Sequence, residues 1–171
     1  MGQVPGESIY MGLGANLPHP IYGAPVDTLK AALADLDAGG IGIRAVSPWY
    51  RSAPVPISDQ PWYVNAVARI ATELPPDRLL EALHAVEEAF GRVRSEPNAA
   101  RRIDLDLLDY RGEIAAGGPG KATVPHPRMA TRAFVLRPLA DLAPAWKHPV
   151  TGTPIAALVA ALPADQTIEK L

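Results

Sequence analysis

The chain of 171 residues has no cysteine. Disulfides, thiolate zinc sites and cysteine nucleophiles are thereby excluded, and a core must be held by packing alone. Long apolar runs are missing too. The longest near the C-terminal end, PIAALVAAL, falls far short of the ~20 residues that a membrane-spanning helix needs. The opening MGQVPGESIY has neither the basic region nor the hydrophobic stretch of a secretory signal, so a soluble cytoplasmic protein with no membrane partner is expected. Charge of one sign is not in excess: sixteen basic against eighteen acidic residues leave a net charge of −2. That balance argues against a nucleic-acid partner, since such binding rests on neutralising many phosphates. At this length one domain, 1–171, is expected, burying roughly two thirds of the surface its unfolded form would expose.

Within this sparing use of charge, RRIDLDLLDY at 101–110 sets Asp104 and Asp106 among isoleucine and leucines. On a strand, residues two apart share a face about 6.6 Å from each other at roughly 3.3 Å rise per residue. The two carboxylates then face one way, and an unpaired buried carboxylate neutralises, pairs or binds a metal. A cation is expected there.

The rest of the chain supplies a frame. The run 8–14 reads as a strand. In 26–37, Leu29, Ala32, Leu33 and Leu36 recur at helical spacing before Gly39 and Gly40. The runs 41–50 and 63–72 read as strands on either side of a proline-rich loop. Pro76 and Asp77 open a helix with Leu79, Leu83, Val86 and Phe90 on one face, and Gly91 ends it. The DLDLL strand follows. The order β-α-β-β-α-β predicts an α+β, ferredoxin-like antiparallel sheet with helices packed on one face. A C-terminal helical extension follows, its last helix carrying Ile155, Leu158, Val159 and Leu162.

Common motifs fail. An EF-hand starting at Asp104 would need glycine and glutamate where Asp109 and Ala115 stand. Gly12-Leu13-Gly14 lacks the third glycine of a dinucleotide fingerprint, with Leu17 in its place. GGPGKAT is not a Walker loop, because Ala115 takes the first glycine position and Ala122 follows Lys121. A bare D-x-D occurs in metal-dependent glycosyl transfer and in solvated turns, but hard oxygen donors suit Mg²⁺, which takes one or two carboxylates plus substrate phosphates. Arg92, Arg94, Arg101 and Arg102 bracket the loop before the acids, and Arg128 and Arg132 follow His126. Arginine binds phosphate in bidentate fashion; an ion-pair network is the alternative. Glu87 lies one turn from Leu83 on the inner helix face, suited to the same neighbourhood or to a buried salt bridge. Tyr63 and Asn65 share a strand face that either grips a planar heterocycle or is a core tyrosine beside a turn-stabilising amide. His126, between two prolines, is a phosphate donor or a loop residue.

Together YMGLGANL, SPWYRSAPV with DQPWYVNA, EEAFGRVR, RRIDLDLLDY and VPHPRMATRAFVLRPL closely resemble the 6-hydroxymethyl-7,8-dihydropterin pyrophosphokinases of folate biosynthesis. The match runs in order over most of the chain. The resemblance implies a ferredoxin-like fold and transfer of the β,γ-diphosphate of ATP to the pterin hydroxymethyl group, releasing AMP, by a monomer whose partners are these small molecules. It implies that Asp104 and Asp106 hold two Mg²⁺ ions. Tyr63 and Phe134 would sandwich the pterin, Asn65 would bind its edge, and the main chain at Ser52, Pro54 and Val55 would add hydrogen bonds. Arg94, Arg101, His126 and Arg132 match triphosphate-holding positions, with Arg92 stabilising the loop. His84, Glu87, Leu107, Lys121 and Thr123 fall where the family contacts the nucleotide. The chain departs from the family pattern at Asn98, Ala99 and Ala100, where tryptophan, glycine and proline are often found, at Arg102 in place of threonine, and at Ala130 in place of histidine.

Two rivals follow from the same residues. A ferredoxin-like module without activity would present aromatics on an open sheet to RNA or a partner. A phosphohydrolase or glycosyl transferase would use the D-x-D alone.

Overall fold

The computed structural model describes residues 7–91 and 102–171. Its centre is β1 (Ile9–Ala15), every residue of which is buried. A strand covered on both faces needs a nearly continuous apolar run, which 9–15 supplies. β1 pairs antiparallel with β4 (Tyr63–Ala71) and with β5 (Asp104–Tyr110). The sheet runs β5-β1-β4-β3-β6, where β3 is Tyr50–Ser52 and β6 is Ile168–Lys170; β2 (Gly42–Val46) also pairs with β4.

Two helices cover one face. α1 (Pro25–Ala38) starts at a proline, whose missing N–H has no partner to lose in a first turn. It ends at Gly39 and Gly40, the latter at φ +94°, where a left-handed residue closes the helix. α2 (Pro76–Ala89) buries Leu79, Leu83 and Glu87 on one side. These helices meet Met11, Leu13, Ala66, Ala68, Leu105 and Leu107 from the sheet. Truncating a fully buried leucine such as Leu83 to alanine costs about 2–5 kcal/mol, so the seat of α2, and with it His84 and Glu87, depends on this packing.

α1 and α2 share one face as expected, and the C-terminal segment, for which the sequence indicated no face, covers the other. α3 (Ala133–Leu142) and the short helix α4 (Ile155–Ala160) lie on that second face, where Val135, Leu136, Leu139, Trp146 and Ile155 meet Tyr10, Val67 and Leu108. The last helix is therefore shorter than predicted, and the C-terminal segment is not wholly helical, since β6 returns to the sheet edge beside β3. The strand expected over 41–50 is two strands. Between them Pro48 has no N–H to donate. Ser47 takes over the local pairing: its N–H donates to Val67 O at 2.9 Å and its Oγ accepts the Val67 N–H at 3.0 Å.

β5 also holds an irregularity. Its register against β1 shifts between Tyr10 and Met11. Leu108 and Asp109 consequently both lie on the α3 face, where Asp109 accepts the Trp146 indole N–H at 2.8 Å and the Gly112 N–H at 2.9 Å. Asp109 is 3% exposed, and burial pushes its carboxyl above the usual range despite those two donors.

Candidate active site

Asp104 and Asp106 alternate with Leu105 and Leu107 along β5. The leucines enter the core under α1 and α2, and the acids face the α3 side. Neither acid is fully buried. Opposite them in the ladder stand glycines, Gly14 against Asp104 and Gly12 against Asp106. With no side chains at 12 and 14 on this face of β1, the sheet beside the start of α3 is hollow. A narrow cleft of about 100 Å³ lies there, floored by Gly12 and Gly14.

The walls of this cleft include Ser52, Pro54, Val55, Tyr63, Asn65 and Phe134, together with Asp104, Asp106 and Arg132. β3 and β4 bring Ser52 opposite Tyr63 and Tyr50 opposite Asn65. Asn65 is 3% exposed, and its amide donates to Ser52 Oγ at 2.7 Å, which satisfies one of its buried donors and fixes its plane. The Tyr63 hydroxyl bonds Gln60 Oε1 at 3.4 Å. Phe134 enters from the first turn of α3, and the guanidinium of Arg132 lies 5.4 Å from its ring centre, a cation–π distance.

A second, larger cleft of about 320 Å³ lies between α2, β5 and the segment leading to α3. His84, Glu87, Leu107, Thr123 and His126 line it, and Asp104, Asp106 and Arg132 line it too. The two clefts therefore meet at these three charged residues. Glu87, 1% exposed, accepts the Leu105 N–H at 3.1 Å through Oε2, which ties α2 to the strand carrying the acids. His126 donates its main-chain N–H to Leu108 O at 2.8 Å, and its Nδ1 accepts the Arg128 N–H at 3.1 Å. Burial lowers the imidazole pKa to about 4; Arg132 and Arg128 push the same way and Asp104 opposes them. His126 is thus neutral near pH 7, and with Nδ1 accepting, the ring proton sits on Nε2.

Lys121 is the exception among the described candidates. It is exposed in a turn, its N–H donating to Gly118 O, and it lines neither cleft. Arg92, Arg94 and Arg101 lie outside the described residues, as do Asn98, Ala99 and Ala100. The walls also contain residues that sequence reasoning did not assign: Ala53 and Val135 in the narrow cleft, Leu80, Ala122 and Pro127 in the larger one. Arg128, noted in the PHPR segment, lines the larger cleft as well. Gly12 and Gly14 carried a signal, but as a failed nucleotide fingerprint rather than as a floor.

A sequence model of the 7,8-dihydro-6-hydroxymethylpterin-pyrophosphokinase (HPPK) family matches residues 10–144. The chain belongs to that family. It is 42% identical over 166 residues to the 2-amino-4-hydroxy-6-hydroxymethyldihydropteridine pyrophosphokinase of Pseudomonas aeruginosa, covering 96% of this chain and 97% of the relative. With the enzyme of the same name from Synechocystis it shares 39% identity over 150 residues, 87% of this chain and 73% of the relative. Among solved structures it resembles Plasmodium falciparum HPPK-DHPS with a TM-score of 0.67 at 14% identity, covering 90% of this chain but 44% of that one. At that identity the likeness concerns the fold: an antiparallel sheet with packed helices. Among the described residues no helix is long and apolar enough to cross a membrane.

Proposed function

We propose that the chain transfers the β,γ-diphosphate of ATP to the hydroxymethyl group of 6-hydroxymethyl-7,8-dihydropterin, giving the pterin diphosphate and AMP in folate synthesis. The observation that carries this reading is the shared wall: Asp104, Asp106 and Arg132 line both clefts. A group bound in one cleft can thus meet a phosphate chain arriving from the other.

In this reading the narrow cleft takes the pterin. Tyr63 and Phe134 grip the two ring faces, Asn65 binds the ring edge, and the main chain at Ser52, Pro54 and Val55 completes the edge contacts. The larger cleft takes ATP, its nucleoside against His84, Glu87, Leu107 and Thr123. Arg132 and the Nε2–H of His126 donate to phosphate oxygens. Arg94 and Arg101 do the same from the segment outside the described residues, with Arg92 stabilising it.

Asp104 and Asp106 are the metal ligands of this reading. Among the described residues no cluster of three or more His, Asp or Glu side chains could hold an ion by itself. A carboxylate pair completed by phosphate oxygens and water is a donor set that suits Mg²⁺. Two bound Mg²⁺ would neutralise and orient the triphosphate.

The protein then has an alignment task more than a covalent one. The pterin hydroxymethyl oxygen forms a bond to the β-phosphorus, the bond to the α,β-bridging oxygen breaks, and AMP leaves with the electron pair while the hydroxyl proton is lost. Holding the hydroxyl in line is the work of Tyr63, Phe134 and Asn65. Stabilising charge on the phosphates is the work of Arg132 and His126.

We also read the β1-α1-β2/β3-β4-α2-β5 succession, with β5, β1 and β4 side by side, as ferredoxin-like, and residues 1–171 as one domain acting as a cytoplasmic monomer. The test of the function is AMP release from ATP with and without the pterin. AMP only when pterin is present supports transfer, whereas ATP breakdown without pterin would favour a hydrolase.

A further inference from the structure

Asp77 stands in the first turn of α2, and its Oδ1 accepts the Ala122 N–H at 2.8 Å across 45 residues of chain. Ala122 belongs to a hairpin built between β5 and the PHPR segment. Ala115 and Val124 exchange both main-chain hydrogen bonds, at 2.8 and 3.0 Å, and the turn closes where Lys121 N–H donates to Gly118 O at 2.9 Å. The two arms are in close contact at Gly117, where a Cβ would lie 2.5 Å from Ala122 O. The amides of Ala122 and Val124 are thus taken by Asp77 and Ala115. Along an extended segment successive residues direct their main-chain groups to opposite sides. Thr123, between them, turns its main chain the other way. Its N–H and C=O enter no hydrogen bond among the described residues, and Thr123 lines the larger cleft. Leu80 and His84, one and two turns along α2 from Asp77, line the same cleft.

We propose that Asp77 is a positioning residue for the nucleotide. Its carboxylate clamps the hairpin to α2 and so sets the gap between the Thr123 main chain and the Leu80 and His84 wall, the slot into which a purine base fits. This rests on the assignment of the larger cleft to ATP. Asp77 itself touches no substrate and is exposed, while the neighbouring Ala122 and Val124 stay buried in the core. Loss of the clamp therefore loosens one wall without opening the fold.

The experiment compares the unmodified chain with Asp77→Ala and Asp77→Asn, using steady-state kinetics and calorimetric titration with α,β-methylene-ATP, in which the bond to be broken is replaced. Asp77→Ala is expected to raise the KM for ATP and the Kd for the analogue about tenfold, the scale of one hydrogen bond to a charged group. The kcat at saturating ATP and the KM for pterin should stay within about twofold. Asp77→Asn keeps an oxygen acceptor and should recover most of the affinity. Unchanged analogue binding in Asp77→Ala would overturn the proposal. So would equal weakening of both substrates together with a lowered Tm, which marks a merely structural bond. If the unmodified chain released no AMP with pterin present, the functional assignment would fail instead, and the analogue titration would still report on the clamp.

Discussion

Asp104 stands directly opposite Gly14 across the β1–β5 ladder, and Gly14 in turn stands opposite Asn65 across β1–β4. One glycine thus separates a carboxylate of the charged junction from the buried amide of the narrow cleft. A Cβ at Gly14 would lie 3.2 Å from Asn65 Oδ1, whereas one at Gly12 would meet only Leu108 methyls at 3.6 Å, an ordinary contact. Gly14→Ala is therefore expected to raise the KM for pterin at least about tenfold, by pushing Asn65 off its plane at a cost near 1.4 kcal/mol. Gly12→Ala should fold with little change in Tm. Pterin titration and thermal melts of the two variants check the contrast.

Asn65→Ala removes the donor to Ser52 Oγ, a hydroxyl buried like the amide itself. Stranding a buried hydroxyl costs about 1–3 kcal/mol, so denaturant unfolding should register a loss of that order. Pterin affinity should fall while the affinity for α,β-methylene-ATP holds, because Asn65 lines the narrow cleft alone. An equal fall for both ligands would contradict the division between the clefts.

His126 gives the protein a pH signature. Its folded pKa, about 4, lies below the ordinary 6.5, so the unfolded chain takes up the proton first as pH falls. Stability from this group is fully present above pH 6.5 and is lost progressively as pH drops from 6.5 towards 4, with no further loss below. Urea unfolding at pH 7 and pH 5 should show this decline in the unmodified chain and a smaller one in His126→Asn.

The sequence made some of this arrangement legible and hid the rest. Alternation of acids and leucines in β5 put Asp104 and Asp106 on one face, and helical spacing placed Leu79, Leu83 and Glu87 on the inner side of α2. Both are local periodicities. The break at Ser47 was hidden because it depends on a side chain substituting for a ladder bond with a strand twenty residues away. Nothing local about 133–142 tells which sheet face its apolar stripe will cover, so the place of α3 was not legible. β6 is short, with Ile168 as its one apolar residue, and exists through pairing with β3. In the sequence Asp109 stands out only as a mismatch to the EF-hand, and the register shift that buries it against Trp146 is not a local signal. The floor of the narrow cleft was the least legible part, since glycines at 12 and 14 show their purpose only when β5 lies alongside.

The central claim is that Asp104 and Asp106 join the two clefts into one reaction centre. The most direct measurement is pterin-dependent AMP release in the presence of Mg²⁺ for the unmodified chain and for Asp104→Asn and Asp106→Asn, with Tm recorded beside each rate. The expected result is release that requires pterin and falls by about a thousandfold in each variant, roughly 4 kcal/mol of barrier, while each Tm moves by only a few degrees. Near-normal release in both variants would contradict the claim.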